Sequence, residues 1–293
     1  MNYHLTPEQI ALLSIARMSW QKRGAAKRTG LGFGEESVTE TILLELAESF
    51  PGQVLIVPFN KVQEGSVGAD WAWAFMSADG CHVYPMLVQA KVLDLKDQNY
   101  PEIKRHIGKT SPRVRQIDRL IRTSAALGWP AVYAFYNHLN DASRIPSECR
   151  SLAMSGLPRF APAWGISVAD ANLVRSALDD QSFDTHRMHS MPLHCLLCSK
   201  GSGARPPGGS AELALRGVGR LRVRGRKDDS GLELGRPGRD EILRELPQIF
   251  ADAIGIFAAE DEEVREVVRR RVAERYSNIA GVVLLRDAEE YRD

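Results

Sequence analysis

Apolar residues recur along this chain at two spacings, and the switches between them mark out its elements. Over residues 6–20, Ala11, Leu12, Ile15 and Met18 keep a helical period, with Thr6 placed to cap and Pro7 suited to a first turn. A basic, glycine-containing loop follows, and a second helix runs from about Glu35 to Phe50, where Pro51-Gly52 stops it. Strand-like runs cover 53–59, 70–76 and 83–93. A helix over 113–127 ends at Gly128, and a strand covers 131–137. Next come a helix at 169–179, a strand at 192–198 and a loop at 199–210. Residues 216–227 read as an exposed β-ribbon or a mobile segment. Helices at 239–258, which Pro247 would kink, and 261–276 precede a last strand at 281–287.

This order predicts an α/β fold, a mixed central sheet flanked by helices with additional C-terminal helices. It divides the chain into an N-terminal helix and basic loop (1–34), an α/β core (35–200), a flexible basic loop or ribbon (201–238), and C-terminal helices with a final strand packing on the core (239–293). In the last region, Val264, Val267, Val268 and Val272 form an apolar stripe. Its partner is either the preceding helix, through Ile242, Leu246, Ile249, Phe250 and Ile254, or a second copy of the chain.

The stretch from 70 to 93 carries an anomaly in its pattern. Asp79-Gly80 is a hairpin turn signal, and it sets a register in which Trp71 faces Val88, Trp73 faces Met86, and Asp70 faces Gln89. Lys91 lies two residues beyond Gln89 and points the same way. One hairpin face is bulky, with Trp71, Trp73 and Phe75; the other is small, with Ala72 and Ala74, and ends in three polar groups. The second helix is predicted to lie over the small face with Leu43, Leu44 and Ala47 toward the sheet. That would bring Glu36 or Glu40 to the polar tip. Glu64 is a further candidate.

Carboxylates, an amide oxygen and an adjacent lysine suit metal-assisted phosphodiester hydrolysis. Mg²⁺ or Mn²⁺ prefers oxygen ligands. Asp70 would be the main charged ligand, Gln89 a neutral one, Glu36 or Glu40 the second carboxylate, and Lys91 the group that holds water or offsets charge on phosphate. These residues resemble the PD-(D/E)xK nuclease superfamily, in its (E/Q)xK variant. There an acidic residue comes from the first helix, an Asp from the second strand and an (E/Q)xK tripeptide from the third. Here the corresponding strings are Glu36 or Glu40, Gly68-Ala69-Asp70 and Gln89-Ala90-Lys91. The longer string GADWAW…VQAK, with Tyr100-Pro101 and PAVYAFYN, is similar to an uncharacterised bacterial branch linked to phage defence.

The likeness covers roughly 35–137 and, more weakly, 192–198. It implies a restriction-endonuclease-like core and a Mg²⁺- or Mn²⁺-dependent endonuclease acting on DNA rather than RNA, in defence against foreign nucleic acid. Gln89 departs from the commonest pattern. Two other readings stay open: a nuclease fold that binds nucleic acid without cutting it, and a non-enzymatic interaction or sensor protein.

Charge adds local information only, because 38 basic residues face 37 acidic ones. From Lys104 to Arg122 there are seven Lys/Arg and one acidic residue, with Arg113 just ahead of a helical face made by Arg115, Arg119 and Arg122. From Arg216 to Lys227 there are six basic residues and no acidic one; in an extended segment Arg220, Arg222, Arg224 and Arg226 share a side. Both segments suit a phosphate backbone, and such contacts would be blind to base sequence. At the end of the 131–137 strand, Asn137 and His138 are placed to reach a ligand.

No apolar run is long enough to span a bilayer, the N-terminus lacks a basic n-region, and four cysteines make no disulfide framework. A cytoplasmic location is expected. THRMHSMPLHCLLC gathers His186, His189, His194, Cys195 and Cys198, a zinc-type set. Its apolar run instead favours a buried strand over 192–198, in which Cys195 and Cys198 point to opposite faces and do not chelate together.

Overall fold

A computed structural model describes residues 5–59, 69–107, 114–146, 152–153, 156, 160–199, 205–224, 242–277 and 279–288. Glu64, Arg113, Cys149 and Arg226 lie outside them. The helices are α1 (Pro7–Thr29), α2 (Glu35–Ser49), α3 (Gln116–Leu127), α4 (Ala171–Ser176), α5 (Phe183–Met188), α6 (Gly209–Arg224), α7 (Gln248–Ala258) and α8 (Glu262–Arg275). The strands are β1 (Val54–Pro58), β2 (Trp71–Met76), β3 (Val83–Val92), β4 (His106–Ile107), β5 (Val114–Arg115), β6 (Ala131–Tyr136), β7 (Ile166–Asp170), β8 (Ser190–Pro192) and β9 (Gly281–Arg286).

A seven-stranded mixed sheet runs in the order β1-β9-β2-β3-β6-β7-β8, with β4 and β5 paired separately. The C-terminal strand β9 sits between β1 (antiparallel) and β2 (parallel). The β2–β3 hairpin has the expected register: Trp71 faces Val88 and Trp73 faces Met86. β6 joins β3 in parallel after the α3 crossover, placing Tyr133 beside Gln89. Helices cover both faces. Trp73, Phe75, Tyr84, Met86 and Val88 pack with α1, α2 and α6, while Ala72, Ala74, Leu87, Tyr133 and Phe135 pack with α3, α7 and α8.

The second helix therefore lies on the bulky face of the hairpin, contrary to the expectation from sequence. Val38, Ile42 and Leu46 are buried, with Leu43 beside them, whereas Leu44 and Ala47 are exposed. The helix turns its most continuous apolar stripe to the sheet, and that stripe opens at Glu35. The small face is closed by α3 and α7 instead.

Other boundaries differ for identifiable reasons. α1 continues through Gly24 to Thr29 and ends at Gly30, whose left-handed φ of 69° makes the cap. Arg23 is buried within it and donates to the carbonyls of Phe33 and Leu93, so this basic stretch is a packed helix and no loop. The expectation for residues 216–227 is an exposed β-ribbon or a mobile segment, and 225–227 lie outside the described residues. α6 instead reaches Arg224, burying Ala211, Ala214, Val218 and Leu221 at helical spacing. The helix needs Gly217: a Cβ there would lie 2.2 Å from the Leu196 carbonyl oxygen.

The helix expected at 169–179 begins only after β7, with Asp170 capping α4 through Asn172 N at 2.8 Å. The strand expected at 192–198 is instead β8 followed by a 3-10 turn, Leu193–Leu197. Within 239–258, only α7 is helical among the described residues, with Pro247 at its N-cap. In α8, Val272 is buried, but Val264 and Val267 are about half exposed, so the stripe is covered only at its C-terminal end. No helix among the described residues is long and apolar enough to cross a membrane.

Candidate functional site

The polar tip of the hairpin forms as the register requires. Asp70 lies just ahead of β2, and its backbone joins both neighbours: its N–H donates to Val88 O at 3.0 Å and its carbonyl accepts from Ala280 N at 3.1 Å. Its half-buried carboxylate accepts from Gln89 Nε2 at 2.5 Å and from Ala90 N at 2.7 Å, both at Oδ2. Gln89 and Lys91 are sealed, at 0% and 1% exposed. Burying a lysine is costly unless it has a partner. Lys91 Nζ finds one 3.3 Å away at Glu35 Oε2.

Glu35, at the start of α2, is the carboxylate that reaches the site. Glu36 and Glu40 occupy exposed positions on the same helix. The stripe running from Glu35 through Val38, Ile42 and Leu46 was the available signal: three- and four-residue spacings back from the buried positions lead to Glu35 and not to Glu36. The helix packs on the opposite sheet face, but its first turn reaches past the sheet to Lys91.

Electrostatics tie these groups together. Burial is the main cause that pushes Glu35 up to about 7; the Asp70 charge adds to it, while Lys91 and, more weakly, Arg105 oppose it. Burial also raises Asp70, against Lys91 and its hydrogen bonds to Ala90 and Gln89. The site thus holds two carboxylates whose charged forms are under-compensated by one lysine. Gln89 Oε1 is buried with no hydrogen-bond partner among the described residues, as is the Tyr133 hydroxyl. Burial, with the Asp70 and Glu35 charges adding to it, raises the Tyr133 phenol well above its ordinary value. Tyr133 and Arg105 are site neighbours that the sequence reading passed over. The parallel pairing of Tyr133 with Gln89 was not readable before the order of the sheet was known.

This donor set fits a hard divalent cation. Two carboxylates with raised affinity for positive charge and an unpartnered amide oxygen make an oxygen-rich cradle. Asp70, Glu35 and Gln89 are the residues that would hold such an ion.

The remaining candidates have different surroundings. Arg115 is exposed on β5 rather than helical, and Arg119 and Arg122 are on α3. Arg220 Nη2 donates to Cys195 O at 2.7 Å, and Arg222 Nε pairs with Asp170 Oδ2 at 3.2 Å. Alternate residues of a helix do not share a face, so Arg220 and Arg222 form no single basic edge, and the Arg224 side chain lies outside what the structure describes. Asn137 is fully buried, accepting from Tyr100 Oη at 2.6 Å and donating to Trp164 O at 2.8 Å and Ser167 Oγ at 3.0 Å. His138 Nδ1 meets Trp20 O at 3.0 Å. Both residues hold the fold together rather than facing a ligand. His186 and His189 face each other at 3.1 Å, and burial lowers both to about 4.

No curated protein and no solved structure matches the chain. A model of one protein family, described as a family of unknown function (DUF6615), matches residues 9–291, and the chain belongs to that family.

Proposed function

We propose that this member of DUF6615 is a divalent-metal-dependent nuclease with a restriction-endonuclease-like core, hydrolysing phosphodiester bonds of DNA. The observation that carries the reading is the convergence of half-buried Asp70 with fully buried Gln89 and Lys91, completed by Glu35. The order of these groups supports it too: an acidic residue from the helix before β1, an aspartate at the second strand and a Gln-x-Lys on the third. A role in defence against foreign DNA rests on the resemblance of the sequence strings alone.

Each residue has a role under this reading. Asp70 and Glu35 would hold Mg²⁺ or Mn²⁺ as carboxylates, with Gln89 as the neutral oxygen ligand. The ion supplies charge neutralisation at phosphate and a more acidic bound water. Lys91 Nζ, held at Glu35, orients the attacking water and offsets charge that develops on the phosphoryl oxygens. Arg105, whose charge reaches both carboxylates, is suited to a phosphate at the rim.

The test is incubation of purified protein with supercoiled, linear and single-stranded DNA under Mg²⁺, Mn²⁺ or chelator. Metal-dependent cleavage that Asp70→Ala and Lys91→Ala each abolish is the expected result. Full activity in both variants refutes the assignment. A second reading, a module that binds nucleic acid without cutting it, is favoured by one contact: Gln89 spends its amide N–H on Asp70. Salt-sensitive DNA binding that persists in chelator, with no cleavage under either metal, would select it.

A further inference from the structure

The 3-10 turn after β8 changes the geometry of the cysteine pair. In a strand, residues three apart point to opposite faces; in a 3-10 turn they lie one above the other. Cys195 and Cys198 are so related, and His194 bends in beside them. One ligand atom each from His194, Cys195 and Cys198 lies within 4.8 Å of the other two. Cys195 Sγ stands 3.5 Å from His194 Nε2. Ligand atoms around a tetrahedral zinc ion are separated by roughly 3.3–3.8 Å, given Zn–N and Zn–S bonds of about 2.0 and 2.3 Å. The His194–Cys195 pair already stands at the spacing of two ligands on one ion, and Cys198 Sγ lies no more than 4.8 Å from either.

We propose that His194, Cys195 and Cys198 form a zinc site, separate from the carboxylate site, that clips the turn between α1 and α6. Two thiolates and a neutral imidazole offset the charge of Zn²⁺, and thiolate ligands select it over Mg²⁺ or Mn²⁺. Water takes the fourth position. Binding displaces two thiol protons to solvent and involves no change of oxidation state.

The surroundings match a metal's outer contacts. Gln9 Nε2, on α1, donates to Cys198 Sγ at 3.4 Å. Arg220, on α6, donates to the Cys195 carbonyl at 2.7 Å, which sets a positive charge near the two sulfurs. Gly217 lets the α6 backbone close against Leu196 in the same turn. The clip therefore ties three segments far apart in sequence.

The test uses the tag-free full chain, purified under reducing conditions, with elemental analysis and replacement of the native metal by Co²⁺. One zinc per chain is expected, together with an intense thiolate-to-cobalt charge-transfer band in the near ultraviolet. Cys195→Ser and Cys198→Ser should each lose the band and the zinc, while Cys81→Ser and Asp70→Asn keep both. If a cysteine variant does not fold, the wild-type protein still decides. A thiol reagent should release one zinc to a chromogenic chelator as Cys195 and Cys198 react. Substoichiometric zinc with no charge-transfer band, a Cys195–Cys198 disulfide in place of the thiols, or loss of zinc on Asp70→Asn would each overturn the proposal. None of these readouts depends on DNA cleavage, so the zinc site and the nuclease reading can fail separately.

Discussion

At the scale of single residues, the site is a problem of charge in a closed space, and Glu35 is its most sensitive member. Its carboxyl is pushed up to about 7, chiefly by burial. A folded-state pKa above the unfolded value means that the folded protein holds the extra proton between about pH 4.5 and 7. Stability from this group is full below that window and lost as pH rises through it. Metal-free protein should therefore unfold at a higher temperature at pH 5.5 than at pH 8, and Glu35→Gln should flatten that dependence. Adding Mg²⁺ should stabilise most at the alkaline end, because a cation competes with the proton. A thermal-shift series across pH, with and without metal, checks all three statements.

Catalysis gives a second test at the same scale. Glu35→Gln should cut cleavage by at least about 10-fold, as removing a group that orients or holds a metal does. Glu36→Gln should leave it close to wild type, since Glu36 occupies an exposed position. Equal losses in the two variants would contradict the placement of Glu35 against Lys91.

At the scale of elements, what sequence periodicity could and could not reveal separates cleanly. The hairpin was legible, because a Asp-Gly turn signal and a period of two fix the pairing of Trp71 with Val88 and so bring Asp70 to Gln89. The helix face was not. Leu43 and Leu44 are adjacent apolar residues, and local pattern alone allows either edge of the stripe to face the sheet. Packing chooses the edge that buries Val38, Ile42 and Leu46, and this choice delivers Glu35. The glycine in α1 reads locally as a break, and the alternating arginines of α6 as an extended segment; Gly24 instead serves close approach, since a Cβ there would sit 2.5 Å from the His138 ring.

The orientation of α2 makes a quantitative prediction. Ile42→Ala removes a side chain only 3% exposed and should cost about 2–5 kcal/mol in denaturant unfolding. Leu44→Ala trims one that is 62% exposed and should change stability by no more than about 0.5 kcal/mol. The reverse ranking would mean that the helix is turned the other way, and Glu35 would then point away from Lys91.

At the scale of the whole molecule, the order of the sheet constrains how the chain can fold. β9 is the last strand in sequence among the described residues, yet it lies inside the sheet, between β1 and β2 and one strand in from the edge. Val282 and Val283 are fully buried, on opposite faces, so β9 contributes to both cores. The carboxylate site depends on it as well, because Ala280 N bonds the Asp70 carbonyl at 3.1 Å just ahead of β2. Without β9, β1 would leave the sheet and β2 would become an open edge with unpaired backbone groups, a form prone to aggregation. A chain ending at Ser277 should therefore fail to give soluble, cooperatively unfolding protein. Restoring 279–288 as a separate peptide should recover a thermal transition and protect the β2 amides from hydrogen exchange. A truncated chain that folds alone and keeps metal-dependent cleavage would show that Asp70 is positioned by the β2–β3 hairpin by itself, with β9 dispensable to the site.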